Sequence, residues 1–270
     1  MSTILATEHL TRRFNSVVAV DDLTLSVEAG EVFGLLGRNG SGKTTLIKML
    51  TTLLLPSAGA ARVGGFDVVR EAAEVRRLIG YVPQALSADG ELTGYENLRV
   101  FAALYDIPRA QREARIRESL GFMNLIEHKD KMVKSYSGGM IRRLEIAQAM
   151  LHHPRLMFLD EPTVGLDPVA RESVWEHVAQ LRADYGTTIF FTTHYMEEAE
   201  HSCTQAAILR QGRLTAIGTL GALKAATGNP GASMDQVFTY YTGDTVDTVE
   251  ENSAYLETAA MRRATRKLGR

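Results

Sequence analysis

The stretch Gly37-Arg38-Asn39-Gly40-Ser41-Gly42-Lys43-Thr44, with Thr45 behind it, has the spacing of a loop that wraps phosphate groups. Its chemistry follows from residue type. Glycines let successive backbone N–H groups curl around an anion, and a helix that starts at the loop's end adds its positive pole. Lys43 is the cation for the β- and γ-phosphates of a nucleotide, and the Thr44 hydroxyl is a ligand for magnesium. A second chemical pair, Asp160-Glu161, follows the apolar run Leu156-Met157-Phe158-Leu159. By itself such a pair can be a helix-capping turn. Joined to the phosphate loop it reads as Asp160 holding the metal through water and Glu161 polarising an attacking water as general base.

A third constellation is Tyr136-Ser137-Gly138-Gly139-Met140. Ser137 can cap a helix whose Ile141, Leu144, Ala147 and Leu151 form an apolar stripe, and Gly138 and Gly139 leave its first amides open to an anion. The chain therefore carries two phosphate-ready helix starts far apart in sequence, more than a kinase or a simple GTPase needs.

The elements that must position these groups alternate between two periods. Leu23–Val27 alternates apolar and polar residues as a half-buried strand does. Val32–Leu36, Leu156–Leu159 and Thr188–Phe191 are nearly continuous apolar runs that suit strands buried on both faces. Helical spacing follows the phosphate loop (Leu46, Ile47, Leu50, Leu53, Leu54) and recurs from Val169 to about Tyr185. From Asn97 to Leu151 only helical patterns remain, so a helical insertion of about residues 86–152 is expected within an α/β core. The expected fold is α/β, a mostly parallel sheet covered on both faces and carrying that insertion. Residues 4–230 would form the nucleotide-binding unit and 231–270 an appendage, set off by the loop signal Gly228-Asn229-Pro230-Gly231. Past that loop the residues read as polar and end in Arg262, Arg263, Arg266, Lys267 and Arg270, either a solvated tail or a docking surface for a partner or lipid headgroups.

Bulk properties exclude several classes. The chain has 270 residues and a formal net charge of -2, which gives no overall pull toward nucleic acid. A single cysteine, Cys203, rules out an intrachain disulfide and a cysteine metal cage, and it reads as a packing residue. Met1 to Glu8 lacks a basic, then apolar, leader, and no apolar run approaches the ~20 residues that span a bilayer. A cytoplasmic chain is expected, reaching the inner face of a membrane only through a partner.

The order of these motifs resembles the ATP-binding subunit of ATP-binding cassette (ABC) transporters, over roughly Ile4 to Gly218. The resemblance implies a phosphate-loop NTPase core with an antiparallel β subdomain, and an ATPase that uses ATP and magnesium and works as a dimer of two such chains on a separate membrane permease, with no nucleic acid involved. It also implies residue roles. Phe14 would stack on adenine, Gln84 after Tyr81-Val82-Pro83 would sense metal and γ-phosphate, and Asp167 of Gly165-Leu166-Asp167 would cross to the partner chain. His194 would contact the γ-phosphate, and Ser137, Gly138 and Gly139 would face the nucleotide of the partner. The family's signature is usually Leu-Ser-Gly-Gly-Gln, so Tyr136 and Met140 depart from it. Where relatives often carry Asp after the position of Cys203, this chain has Thr204 and Gln205. More narrowly, Tyr136–Arg143 and Ser233–Phe238 resemble the ATPases of type-2 exporters, the daunorubicin-resistance group, which serve drug, antibiotic or lipid efflux. The competing class is a soluble cassette ATPase of translation, DNA maintenance or iron–sulfur assembly. One phosphate loop and no sustained heptad between Thr44 and Ser137 argue against it. The loop Ala85–Gly90 reads as a hinge from Gln84 into the insertion, with Glu96 on the surface that the permease would meet.

Overall fold

A computed structural model describes residues 2–243 of the chain. Along the chain run β1 (Thr3–Phe14), β2 (Val17–Glu28), β3 (Val32–Leu36), α1 (Lys43–Leu50), β4 (Ala58–Val63), β5 (Phe66–Asp67), α2 (Ala72–Leu78) and β6 (Ile79–Val82). The helical stretch follows, with α3 (Gly94–Leu104), α4 (Arg109–Phe122) and α5 (Gly138–Met150). The chain then returns to alternation through β7 (Leu156–Asp160), α6 (Pro168–Tyr185), β8 (Thr188–Thr193), α7 (Met196–Ser202), β9 (Gln205–Arg210), β10 (Arg213–Thr219), α8 (Leu220–Ala226) and α9 (Met234–Thr242).

Two sheets result. One is antiparallel, in the order β2-β1-β4-β5; the other has the order β10-β9-β3-β8-β7-β6 and is parallel from β9 to β6. The apolar strands are buried because both faces of the parallel sheet are covered. Leu156, Phe158, Phe190, Phe33 and Leu35 join α1 and the antiparallel sheet in one core. Met157, Leu159, Ile189 and Phe191 point the other way, into a core shared with α3, α4, α5 and α6. Neighbouring rings knit the first core across strands, with Phe33 stacked on Phe190 at 5.3 Å and Phe158 at 5.4 Å from Phe190.

Two expectations are corrected and one, the half-buried strand, holds but is extended. The helix after the phosphate loop ends at Leu50, not Leu54: Thr52 takes φ 65, which an α-helix cannot continue, and Leu53 is exposed. The half-buried strand at Leu23–Val27 is the end of a twelve-residue strand, whose first half pairs Val17, Val18 and Val20 with β1. The chain beyond Gly231 is not simply polar. Helix α9 buries Met234, Val237 and Phe238 against α7, β9 and Leu36, and its start is closed by a capping box between Ser233 and Gln236. The basic residues Arg262 to Arg270 lie outside the described residues. No helix among the described residues is long and apolar enough to cross a membrane.

Candidate functional site

The parallel sheet places its chemistry at the carboxyl ends of four adjacent strands, where ligands of open α/β sheets bind. β3 runs into the Gly37–Thr44 loop, β6 into Gln84, β7 ends on Asp160 and β8 leads to His194. The loop is tight, and two of its glycines are required by space. A Cβ on Gly37 would lie 2.4 Å from Ser41 Oγ, and one on Gly42 would lie 2.2 Å from the Ala19 carbonyl oxygen. Gly42 caps α1 at φ 108, where side chains are disfavoured, and no side chain caps the helix. The first turn of α1 therefore presents its amides with no acidic residue to answer them.

Lys43 is almost fully buried. Its ammonium donates to the Gly37 carbonyl at 2.7 Å and the Arg38 carbonyl at 3.2 Å, and pairs with Glu161 Oε1 at 3.0 Å. The other Glu161 oxygen accepts from Gln84 Nε2 at 3.1 Å and meets His194 Nδ1 at 3.2 Å. Glu161 is thus the hub of the site, and its own backbone sits at φ 48, a strained value for a non-glycine residue. Burial would raise its carboxyl pKa, but the His194 hydrogen bond and the Lys43 charge together outweigh burial and hold it below the usual range. The carboxylate beside it goes the other way. Burial raises the Asp160 pKa against hydrogen bonds from Thr192 and Thr44, and the Glu161 charge adds to the rise. Environment has split two adjacent acids into an ionised one and a more easily protonated one.

Asp160 Oδ1 accepts from Thr192 Oγ1 at 2.7 Å and Thr44 Oγ1 at 3.2 Å, while its buried Oδ2 has no hydrogen-bond partner. Such an unanswered carboxylate oxygen beside a threonine hydroxyl fits a small hard cation. No group of three or more acidic, histidine or cysteine side chains that could form a metal cage occurs among the described residues. The donors suit magnesium, which takes one or two protein ligands and completes its shell with phosphate and water. Ser41 Oγ is likewise buried without a partner.

Other expected residues lie apart from this hub. Phe14 is 42% exposed on the β1–β2 hairpin, with the Arg12 guanidinium 4.5 Å from its ring centroid. Arg12 in turn donates to the Leu55 carbonyl at 2.8 Å. The close approach of Ala19 to Gly42 ties that hairpin to the phosphate loop. Ser137 is the N-cap of α5, its Oγ accepting from Met140 N at 3.3 Å, and Asp167 is the exposed N-cap of α6, accepting from Ala170 N at 3.0 Å. Tyr136 is buried, and its hydroxyl donates to the His128 carbonyl at 2.7 Å; a Cβ on Gly94 would fall 2.4 Å from that oxygen. Tyr136 is therefore an anchor inside the helical stretch. Glu96 also has a structural task. It forms a capping box with Thr93 at the start of α3, so the Thr93 hydrogen bonds hold its carboxyl below the usual range, and reversing its charge would damage the helix as well as any surface. Cys203 is packed, with burial pushing its thiol up to about 12, which leaves it unreactive.

A family model described as "ABC transporter" matches residues 20–164, which include the phosphate loop, Gln84, the α5 start and Glu161. The chain belongs to the ABC transporter family. Among its relatives is the daunorubicin/doxorubicin resistance ATP-binding protein DrrA of Streptomyces peucetius, 45% identical over 83% of this chain and 68% of the relative. The linearmycin resistance ATP-binding protein LnrL of Bacillus subtilis is 38% identical over 80% of this chain and 69% of its own length. A solved ATP-binding subunit of an ABC transporter superposes with a TM-score of 0.80 at 32% identity, covering 89% of this chain and all of that one. The ABC fold and ATPase activity are thus shared.

Several working residues carried no recognisable signal in the sequence. Thr192 orients Asp160 and also accepts from Glu161 N at 3.0 Å. Buried Glu198 on α7 accepts from Thr163 Oγ1, just past Glu161, and from Thr193 Oγ1 at 2.6 Å, just before His194. Two threonines at the carboxyl end of a central strand were the available hint.

Proposed function

We propose that this chain is the ATP-hydrolysing subunit of an exporter, acting as a two-chain ATP sandwich beneath a separate membrane permease on the cytoplasmic face. The cargo class is a drug, antibiotic or lipid-like molecule. The observation that carries the proposal is the pair of unlike helix starts. α1 opens onto a hub of Lys43, Asp160 and Glu161, whereas Ser137 and Gly138 are exposed and make no hydrogen bond or ion pair to that hub. A second copy, offering its Ser137–Gly139 start to this chain's nucleotide, gives both starts a use. The names of the relatives, resistance ATP-binding proteins for daunorubicin and linearmycin, support the cargo class.

In this reading the Phe14 ring takes the adenine on a face not covered by Arg12, and the loop amides and Lys43 take the phosphates. Thr44 and Gln84, with Asp160 acting through water, would hold magnesium, which would supply charge neutralisation at the phosphates. Lys43 must exchange its Glu161 and carbonyl partners for phosphate oxygens, which frees one oxygen of Glu161. That carboxylate, kept ionised by its surroundings, then orients and deprotonates the attacking water. His194 moves from Glu161 to the γ-phosphate, and Asp167 faces the partner chain.

The test uses the full chain, alone and co-expressed with a candidate six-helix membrane permease. ATPase rate per chain should rise with protein concentration and again with the permease, and vesicles holding both should expel a hydrophobic drug only with ATP. A rate per chain that stays constant on dilution, with no response to the permease, would overturn the two-chain reading.

A further inference from the structure

Helix α5 carries a buried polar stripe at every third residue. Arg142, Glu145 and Gln148 are each about 2% exposed, on a helix whose apolar Leu144, Ala147 and Leu151 face the core. The stripe faces the loop that carries Gln84. Arg142 Nη1 donates to the Pro83 carbonyl at 2.7 Å and Nη2 to the Gln84 carbonyl at 2.9 Å. Glu145 Oε2 pairs with Arg142 Nη1 at 2.9 Å, and Oε1 accepts from the Ser87 backbone N–H and from Ser87 Oγ at 3.0 Å. Gln148 Nε2 continues the seam to Asn97 Oδ1 at 3.3 Å, and Asn97 holds Asp89 through N–H and carbonyl alike.

A buried ion pair is seldom retained for stability, because desolvation consumes most of its attraction and an apolar replacement is often neutral. Here the desolvation is visible. Burial lowers the Arg142 pKa and raises that of Glu145, each opposed by its partner's charge. What an apolar pair could not do is grip backbone. The planar fork of an arginine matches two successive carbonyls, and a carboxylate matches an amide and a hydroxyl of the same loop.

We infer that Arg142 and Glu145 are positioning residues: they clamp residues 83–87 to α5 and so hold the Gln84 side chain against Glu161. This rests on the ATPase reading above and deepens it. The helix that begins at Ser137 and the glutamine that reaches the catalytic carboxylate are joined through one rigid polar contact. Any tilt of α5 relative to the parallel sheet is therefore passed to Gln84, whose amide lies 3.1 Å from Glu161. The hydrogen bonds and ion pair of Arg142 and Glu145 go to Pro83, Gln84, Ser87 and each other, not to Lys43, Asp160 or Glu161. Arg142→Lys keeps the positive charge that Asp160 feels, so what it removes acts through Gln84 and should be masked when Gln84 is gone.

Arg142→Lys keeps the charge and loses the fork. In the otherwise unaltered full chain it should lower kcat about tenfold while KM for ATP stays within about twofold. In a Gln84→Ala background the same change should alter kcat by less than about twofold. Glu145→Gln, which still offers an acceptor to Ser87 but no charge to Arg142, should show the same masking and serves if Arg142→Lys does not fold. Amide hydrogen exchange of residues 84–88 reads the clamp without turnover, and both variants should speed it. Equal losses of kcat with and without Gln84, or unchanged exchange in that loop, would overturn the clamp. A wild-type chain with no ATPase activity, alone or with its permease, but with exchange speeded in the variants, would instead overturn the ATPase reading and leave the clamp standing.

Discussion

Helices α1 and α5 both begin at glycine-rich turns, but the chain finishes them differently. α1 is capped only by Gly42 in a left-handed conformation and carries Lys43 at its positive end, an arrangement unfavourable to the helix by itself. Around it stand Asp160, Glu161, Gln84, His194 and Thr192, all linked by hydrogen bonds or ion pairs of 3.2 Å or less. α5 has an ordinary Ser137 cap, no acidic residue in its first turn and no hub beside it. Its glycines differ as well. A Cβ on Gly139 would lie 2.8 Å from Ala170 Cβ, so that glycine already has a packing reason, whereas Gly138 meets only Leu166 Cδ2 at 3.4 Å. The difference teaches that one start is furnished with charged groups by its own chain, whereas the other, on the two-chain reading, would serve a second copy. Among the described residues Gly138 has no tight neighbour that would require a glycine there.

The largest effect should come at the complete start. Glu161→Gln keeps the shape of the hub but loses the base, so hydrolysis should fall by about 10²-fold or more while ATP binding persists. Nucleotide titration and a steady-state phosphate assay separate the two. Equal loss of binding and turnover would mean that Glu161 serves the ground state.

At the incomplete start the discriminating change is Gly138→Asp. An acid in the first turn favours the helix dipole, worth about 0.3–1 kcal/mol, so the melting temperature should hold or rise slightly. The same charge would repel a phosphate from the partner's site, and turnover should fall at least about tenfold. Mixing this variant with Lys43→Ala chains allows mixed dimers with one intact composite site. Their activity should exceed the sum of the two variants measured apart. No recovery on mixing would break the comparison, since each start would then serve its own chain.

The smallest effect lies at the far end of α5. His152 donates to the Ile79 carbonyl at 2.9 Å and stacks on Tyr105 at 4.0 Å. Burial lowers its pKa from 6.5 to about 4. The unfolded chain therefore takes up a proton below about pH 6.5 that the folded chain refuses until about pH 4. Stability should fall as pH drops through that window, by at most about 1.4 kcal/mol per unit. His152→Gln keeps a donor and removes the titration, so its urea midpoint should vary less between those pH values.

The sequence by itself determined the local devices. The phosphate loop, Asp160-Glu161 at a strand end and Ser137 at a helix start were legible because each is built from neighbours in the chain, whose types fix backbone shape and hydrogen bonding directly. The buried strands were legible too, as apolar runs short enough for a sheet. Only the tertiary structure decided which devices meet. Gln84 reaches Glu161 across 77 residues because β6, β7 and β8 lie side by side in a parallel sheet. Periodicity cannot state strand order. Nor could it find the stripe of Arg142, Glu145 and Gln148, since polar residues at helical spacing read as a solvated face until a loop is seen to cover them. Thr52 ended α1 four residues before the apolar pattern did, and α9 was hidden in a segment read as polar, because its three buried residues matter only once α7 and β9 are there to meet them. Composition and spacing reach as far as the chain's own neighbours; contacts between distant segments depend on packing, and packing belongs to the fold.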